Sequence, residues 1–286
     1  SQAGRTLDTI TREVINGGSN VQYGEGQVTG RHLLVGGEAT GNHYFTVRAV
    51  RKAVRFLKTM NAPRYEGSYW AIIHPDCSYD IQDDPDWKRP HEYKDTSNIY
   101  DDEIGKIAGV RFIETTEAKV FHADDLTDGA RDLTVKSASG KVLTVNEIIT
   151  TADAAKLAGR EVVIGGALLE IESASAAASG SATITLKEAP AATPTASTAI
   201  YPGEAGAKGR NVYSTLIMGA EAYGTTELTG GGLEHIVKPL GSAGTADPLN
   251  QRATVGWKAT KVAERLVEAY MVRVECCSTF DETPLT

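Results

Sequence analysis

The composition of this sequence changes after Phe121 and changes back at Arg210, and any fold must accommodate that break. Just before it, GVRFIETT at residues 109–116 alternates Val110 and Phe112 with Arg111 and Glu114. That alternation predicts a half-buried strand entered through a glycine turn. Residues 103–108 end at Gly109 and read as a short turn of helix. From His122 to Gly209 the chain becomes rich in Ala, Ser, Thr and Gly, and at RNVYSTLIM, residues 210–218, long apolar side chains return. The pattern predicts one α+β domain built from residues 1–121 and 210–286, cut open to admit a small β-rich unit at residues 122–209.

Inside the insert, residues 133–135 and 142–145 alternate as strands. Residues 151–157 predict a short helix, capped by Thr150 or Thr151 and closed by Gly159. Residues 161–164 and 167–171, joined by Gly165 and Gly166, carry the strongest hairpin signal in the chain. Residues 173–180 read as a flexible tip, and 181–186 and 199–201 can add strands. Several short strands with small turns predict a little sandwich or barrel.

In the outer segments, Leu7, Ile10, Val14 and Ile15 share one helical face, with Arg5, Arg12 and Glu13 off it. This helix has no clear cap and Ser1 is not an initiator Met, so further chain is expected upstream. Residues 17–43 read as a long glycine-rich loop with isolated apolar patches at 21–23 and 33–35, of the kind a partner orders. The clearest helix is residues 46–60, with Val47, Val50, Val54 and Leu57 as its stripe and Arg48, Arg51, Lys52, Arg55 and Lys58 as a basic face. A solvated face is the simpler reading. A nucleic-acid contact is disfavoured by the acidic chain, and an intermediate reading, ion pairing with an acidic patch on a neighbouring copy, makes Arg48, Arg51 and Arg55 subunit-contact candidates. Residues 69–73 predict a buried strand, and Pro75 suits the first turn of a helix carrying Tyr79 and Ile81. Residues 212–218 predict a strand that resumes the core. Val255, Trp257 and Ala259, and Tyr270, Val272 and Val274, read as two strands of one sheet with Val262, Leu266 and Val267 between them. Residues 230–232 and 241–244 are loops, and 279–286 a loose tail.

The 286 residues carry a net charge of −8, which argues against a sequence-independent nucleic-acid binder. Three cysteines, two of them adjacent, make neither a disulfide framework nor a metal spacing and fit a reducing compartment. No apolar run approaches membrane-spanning length, and no signal-peptide pattern is present. There is no phosphate-binding loop, dinucleotide fingerprint, nucleophile elbow or zinc spacing. His74 and Asp76, with Asp80, Asp83, Asp84 and Asp86, fail as a calcium loop and read as caps and turn residues around Pro75 and Pro85. His122, Asp124 and Asp125 read as a solvated linker. No catalytic residue, cofactor site or metal ligand is therefore assigned. Against a structural reading stand a metal-dependent hydrolase using His74 and Asp76, and a carbohydrate- or surface-binding protein acting through the insert.

Several segments in one order carry a resemblance. They are QAGRTLDTI at 2–10 with NVQY at 20–23, AIIHPD at 71–76, residues 99–121, residues 216–224, and IVKPLGSAGTADPLNQ at 236–251 through VGWK at 255–258. Together they resemble the major capsid proteins of tailed bacteriophages. The resemblance implies the tailed-phage capsid fold, with an axial domain, a peripheral domain and a spine helix whose end would be residues 7–15. It implies identical copies as partners, in hexamers and pentamers of an icosahedral head enclosing the DNA genome. Portal, scaffold or decoration proteins would be further partners, with assembly in the host cytoplasm, residence in the virion, and no membrane, cofactor or sequence-specific nucleic-acid contact. Such proteins carry an amino-terminal arm and an extended loop before the QAG segment, and neither is in this sequence. The insert resembles accessory domains some of them carry on the outer surface.

Overall fold

The computed structural model describes residues 2–37, 43–92, 105–226, 232–242 and 251–280. Among the described residues, five α-helices and seventeen strands follow in chain order. The first half holds α1 (Gln2–Asn16), β1 (Val21–Tyr23), α2 (Val47–Thr59), β2 (Tyr69–Ile73), α3 (Pro75–Asp83), α4 (Pro85–Glu92), β3 (Lys106–Ile107), β4 (Val110–Glu114) and β5 (Val120–Phe121). Then come β6 (Leu133–Ser139), β7 (Val142–Val145), α5 (Thr151–Leu157), β8 (Glu161–Ile164), β9 (Ala167–Ser175), β10 (Thr183–Leu186) and β11 (Ala199–Pro202). The last part holds β12 (Val212–Met218), β13 (Tyr223–Thr226), β14 (Glu234–Lys238), β15 (Thr254–Lys258), β16 (Val262–Arg265) and β17 (Met271–Cys276).

The main sheet runs β1-β17-β12-β2-β4-β3. Its centre is β12, all seven residues of which are buried. One edge of β12 pairs with β17; the other pairs with β2 at Leu216–Met218 and with β5 at Val212 and Tyr213. The strand that leaves the core before the sequence break and the strand that re-enters after it therefore lie side by side. Helix α2 packs on this sheet through Val47, Ala49, Val50, Ala53, Val54 and Leu57, joined by Phe45, Tyr69, Ile73, Ile81 and Val274. Its start is set by Thr46, whose Oγ1 accepts from the Ala49 N–H at 3.2 Å. On the opposite face Ile15 of α1 meets Leu216, Met218, Ala222 and Met271.

Between β5 and β12 the six strands β10-β7-β6-β11-β8-β9 close into a barrel. Alternation fills it: Leu133 and Val135, Leu143 and Val145, Val162 and Ile164, and Ile184 and Leu186 all point inward. Helix α5 adds Leu157 to this core, held by a capping box between Thr150 and Asp153. Gly165 and Gly166, both at positive φ, turn β8 into β9. Closure rather than a sandwich removes the strand edges that so short a unit would otherwise expose.

Four sequence expectations are corrected. Residues 105–108 are not helical; β3 and β4 form a hairpin, with Ala108 and Gly109 both in the left-handed region at the turn. Val21–Tyr23 is no isolated loop patch but β1, pairing parallel with Arg273–Glu275 of β17. The segment at 173–180 is not all tip: β9 continues through Ser175, and Ala177 bridges to Ile149. The strands near Trp257 and Val272 are in different sheets: among the described residues β15 pairs with β14, while β17 lies in the main sheet. Residues 103–104, 230–231, 243–244 and 281–286 of the anticipated helix turn, loops and tail lie outside the described residues.

The β1–β17 edge closes over a buried charge. Glu275 is fully buried, and Arg31 grips it bidentately, with Nε 2.7 Å from Oε2 and Nη2 2.8 Å from Oε1. Arg273 Nε lies 2.7 Å from Oε1 but out of line for a hydrogen bond, so that contact is an ion pair alone. The Arg31 guanidinium also sits 3.4 Å over the Phe121 ring. Removing one partner of a buried pair leaves an uncompensated charge, so Glu275→Ala should cost about 3–5 kcal/mol. Glu170→Ala, which breaks an exposed pair with Lys187, should cost less than about 1 kcal/mol. Denaturant unfolding of both variants checks this, and equal costs would contradict it.

Candidate subunit-contact surfaces

The basic face of α2 is exposed along its length, because its apolar stripe turns the other side to the sheet. Its charges divide into two groups. Arg48 lies 3.4 Å from Glu25, and Arg51 lies 3.6 Å from Asp86. Lys52 Nζ donates to the Glu25 carbonyl. Glu25 is placed by Thr46, whose hydroxyl donates to its Oε1 at 2.9 Å. Arg55 and Lys58 have no ion-pair partner among the described residues, and with Arg51, Val54, Thr59 and Ala108 they line a shallow groove of about 550 Å³. The three candidate arginines are thus on one face as expected, but two of them already have partners in their own chain. The Arg51–Asp86 pair is exposed, and Arg48 reaches a half-buried Glu25 from solvent, so each arginine is held by a weak local tether that a second copy can compete for.

The His74 region is built as capping chemistry. The His74 Nδ1 accepts from the Asp76 N–H at 3.3 Å, fixing the first turn of α3, where Pro75 has no N–H to satisfy. Asp76 accepts from the Tyr213 hydroxyl at 2.6 Å, and the His74 and Tyr213 rings lie 4.9 Å apart. Together with Arg12, Thr116, Ala118, Lys119, Val120 and His122, these residues line a cavity of about 430 Å³. His122 is engaged by Asn211 at 3.0 Å. The remaining aspartates are used singly. Asp80 accepts from the Thr279 hydroxyl at 2.6 Å, Asp84 accepts from the Val47 N–H at 2.9 Å, and Asp83 pairs with Lys88. Burial raises the pKa of Asp80, offset by its bonds to Thr279 and Ser278. Among the described residues no three His, Cys, Asp or Glu side chains are grouped to hold a metal ion.

Cys276 and Cys277 are buried and reduced, and so is Cys77, whose Sγ lies 3.6 Å from that of Cys276. Burial pushes the Cys77 thiol well above its ordinary pKa, which makes it a packing group. No local signal could have joined residues so far apart in the chain.

Compared with known proteins, residues 3–227 match the model of a family described as phage capsid protein. The capsid structure of the cyanophage P-SCSP1u superposes with a TM-score of 0.48 at 10% identity, over 97% of this chain and 63% of that one. An acid-stable capsid structure of the Helicobacter pylori bacteriophage KHP30 gives 0.45 at 8% identity, over 96% and 67%. The head structure of the Helicobacter pylori bacteriophage KHP40 gives 0.45 at 10%, over 96% and 66%. The chain therefore spans about 63% of the length of the cyanophage protein. A search of curated proteins finds no match.

The histidines give this region a pH dependence. Burial lowers the pKa of His74, with Asp76 and Glu114 opposing it, and burial likewise lowers those of His43 and His32. A depressed histidine adds stability that is fully present above the unfolded value of about 6.5 and is lost as pH falls from there through the lowered folded value. The melting temperature should therefore fall between pH 7.5 and 5.5. His74→Asn, which keeps a cap acceptor but cannot titrate, should flatten that slope. An unchanged slope in thermal melts of the variant would show that His74 does not contribute.

Proposed function

The chain belongs to the phage capsid protein family, and from that membership we propose that identical copies of it assemble into hexamers and pentamers of an icosahedral head around a DNA genome. The match over residues 3–227 carries this reading. The chain is then a structural virion protein that assembles in the host cytoplasm, works by association and catalyses nothing. Portal, scaffold or decoration proteins are its further partners. Exposed apolar surface supports the reading: α1 keeps Ile10 43% exposed on the stripe that a partner would cover. The comparisons give a carbohydrate-binding role for the barrel no support.

In this reading Arg48, Arg51 and Arg55 contact an acidic surface on the next copy. The triple variant Arg48→Gln, Arg51→Gln, Arg55→Gln should fold within about 1 kcal/mol of the parent, since the arginines it replaces are exposed and Glu25 keeps its bond from Thr46. Assembly of the full-length protein, followed by light scattering and negative-stain imaging over a concentration series, should weaken several-fold at low salt, with the difference vanishing at high salt. A parent that stays monomeric at every concentration contradicts the capsid reading. A parent that assembles no better than the variant contradicts only the role of the arginines.

We further propose that residues 122–209 are an accessory unit inserted into the capsid core. Its barrel has its own apolar core, and its entry and exit strands are neighbours on the sheet. Replacing 122–209 by a short Gly/Ser linker should leave a cooperative melt. Loss of that melt would make the barrel part of the core's own folding unit.

A further inference from the structure

Two surfaces of opposite sign hold charges that the chain does not pair within itself. The first is the C-terminal part of the α2 basic face. Arg51, Arg55 and Lys58 recur at helical spacing, so they share one side of the helix over about 10 Å. All three are exposed and line the shallow groove of about 550 Å³. Arg51 reaches Asp86 at 3.6 Å, and Arg55 and Lys58 have no ion-pair partner among the described residues. Like charges one turn apart repel, so this helix face gains from an anionic cover.

The second surface is the loop that leads from β5 into the barrel. Asp124, Asp125, Asp128 and Asp132 are all exposed, with Arg131 as the one cation in the run. None of these carboxylates makes an ion pair or a hydrogen bond among the described residues. Other exposed carboxylates without partners, such as Glu66, Glu188 and Glu221, come singly along the chain. The loop backbone is nevertheless fixed. Arg160 donates from Nη1 to the Asp125 carbonyl at 2.8 Å and from Nη2 to the Asp124 carbonyl. The Asp128 N–H donates to Asp153 Oδ1 at 3.1 Å. Thr127 and Ala130 exchange hydrogen bonds of 3.1 Å across a turn made by Gly129 at a φ of 87°. Leu126 anchors the loop in the barrel core. Like charges held on an ordered loop repel one another, and a partner of opposite sign need not order that loop to bind it.

The fold keeps the two surfaces apart within one copy. Strand β12 starts at Val212, paired with Phe121 at the foot of the aspartate loop. It ends at Met218, and just beyond it the Ala220 N–H donates at 2.8 Å to the Pro63 carbonyl in the turn that follows α2. A strand of this length spans about 20 Å. The groove end of α2 and the aspartate loop therefore lie toward opposite ends of β12, farther apart than exposed charges act through physiological salt.

We propose that the groove of Arg51, Arg55 and Lys58 on one copy takes the Asp124–Asp132 loop of the next. The inference rests on the capsid reading and names the acidic surface that the basic helix meets. The contact is head-to-tail, groove to loop, so each copy offers one of each and repetition closes a ring. One such contact can be weak, because several in a closed array raise the effective concentration at the next. The entry loop of the inserted unit then has a part in joining copies.

The test uses the full-length protein at low salt. The pair Arg55→Glu, Lys58→Glu and the pair Asp128→Lys, Asp132→Lys should each leave the monomer's melting temperature unchanged, because all four side chains are exposed. Each pair should raise the concentration needed for assembly roughly tenfold, and combining the two pairs in one chain should restore assembly to near the parent's. The milder Asp128→Asn, Asp132→Asn should weaken it less than the lysine pair. In assembled parent, a water-soluble carbodiimide should join Lys58 to an aspartate of the 124–132 loop on another copy, and Lys58→Arg should abolish that cross-link while assembly persists. Reversed pairs that assemble like the parent, or a combination no better than either pair alone, would overturn the contact. So would a Lys58 cross-link to a carboxylate outside the loop. Binding of a short DNA duplex that Arg55→Glu, Lys58→Glu abolishes, with assembly intact, would give the groove to nucleic acid and overturn it too. A parent that never assembles defeats the capsid reading itself, whereas these other outcomes in an assembling parent defeat only the assignment of its surfaces.

Discussion

The core of this chain depends on one buried carboxylate. Glu275 has no water to solvate it, so its ionised form is tolerable only with guanidinium groups in place. Those groups come from Arg31, in the glycine-rich stretch after α1, and from Arg273 on its own strand. The same Arg31 covers Phe121, the last residue of β5 ahead of the barrel, and donates to the Glu204 carbonyl at 3.3 Å just past the last barrel strand. Glu204 in turn takes Arg160 of the barrel at 2.6 Å. One electrostatic requirement thus gathers the early loop, the last strand and both necks of the barrel. A buried ion pair adds little net stability over an apolar substitute, but its geometry admits few alternatives. That suits a seam where four remote segments must meet in one register.

How much of this was legible in the sequence follows the range of the interactions. Patterns that close within a few residues could be read. Examples are the α2 stripe from Val47 to Leu57, the Thr150 cap, the Gly165–Gly166 hairpin and the run of buried residues in β12. The change in composition between residues 122 and 209 could be read too, because a closed barrel of short strands needs small residues and turns that a helix-and-sheet core does not. What could not be read was pairing at a distance. Val21–Tyr23 is too short to announce a strand and becomes one only against Arg273–Glu275. Alternation around Trp257 was visible, but alternation does not say which strand lies alongside, and β15 went to β14 instead of the main sheet. One missed signal was present in principle: a lone glutamate inside the apolar run MVRVECC at 271–277 implies a buried partner. For the candidate site, the basic face was legible from spacing, whereas the partners Glu25 and Asp86 were not.

The described chain divides into parts that satisfy themselves and parts that do not. The sheet centre, the α2 face and the barrel interior are filled. The α1 stripe and the β14–β15 ribbon keep apolar side chains in water. Local stability must differ accordingly, since elements with few buried contacts open at little cost in free energy while core strands open only with the whole domain. In the proposed assembly this distribution would be useful: the sheet would present surfaces, and the under-supported elements would gain their order from neighbouring copies.

Native-state hydrogen exchange, run on the dissociated chain and on assembled particles of the full-length protein, measures that division directly. In the dissociated chain the amides of β12 and β17 should exchange only through global unfolding, while those of β14 and β15 exchange close to the rate of an open peptide. On assembly the first set should hardly change, and the second should slow by orders of magnitude. Ribbon amides that exchange equally fast in particles and in the free chain would contradict the view that neighbouring copies complete this fold.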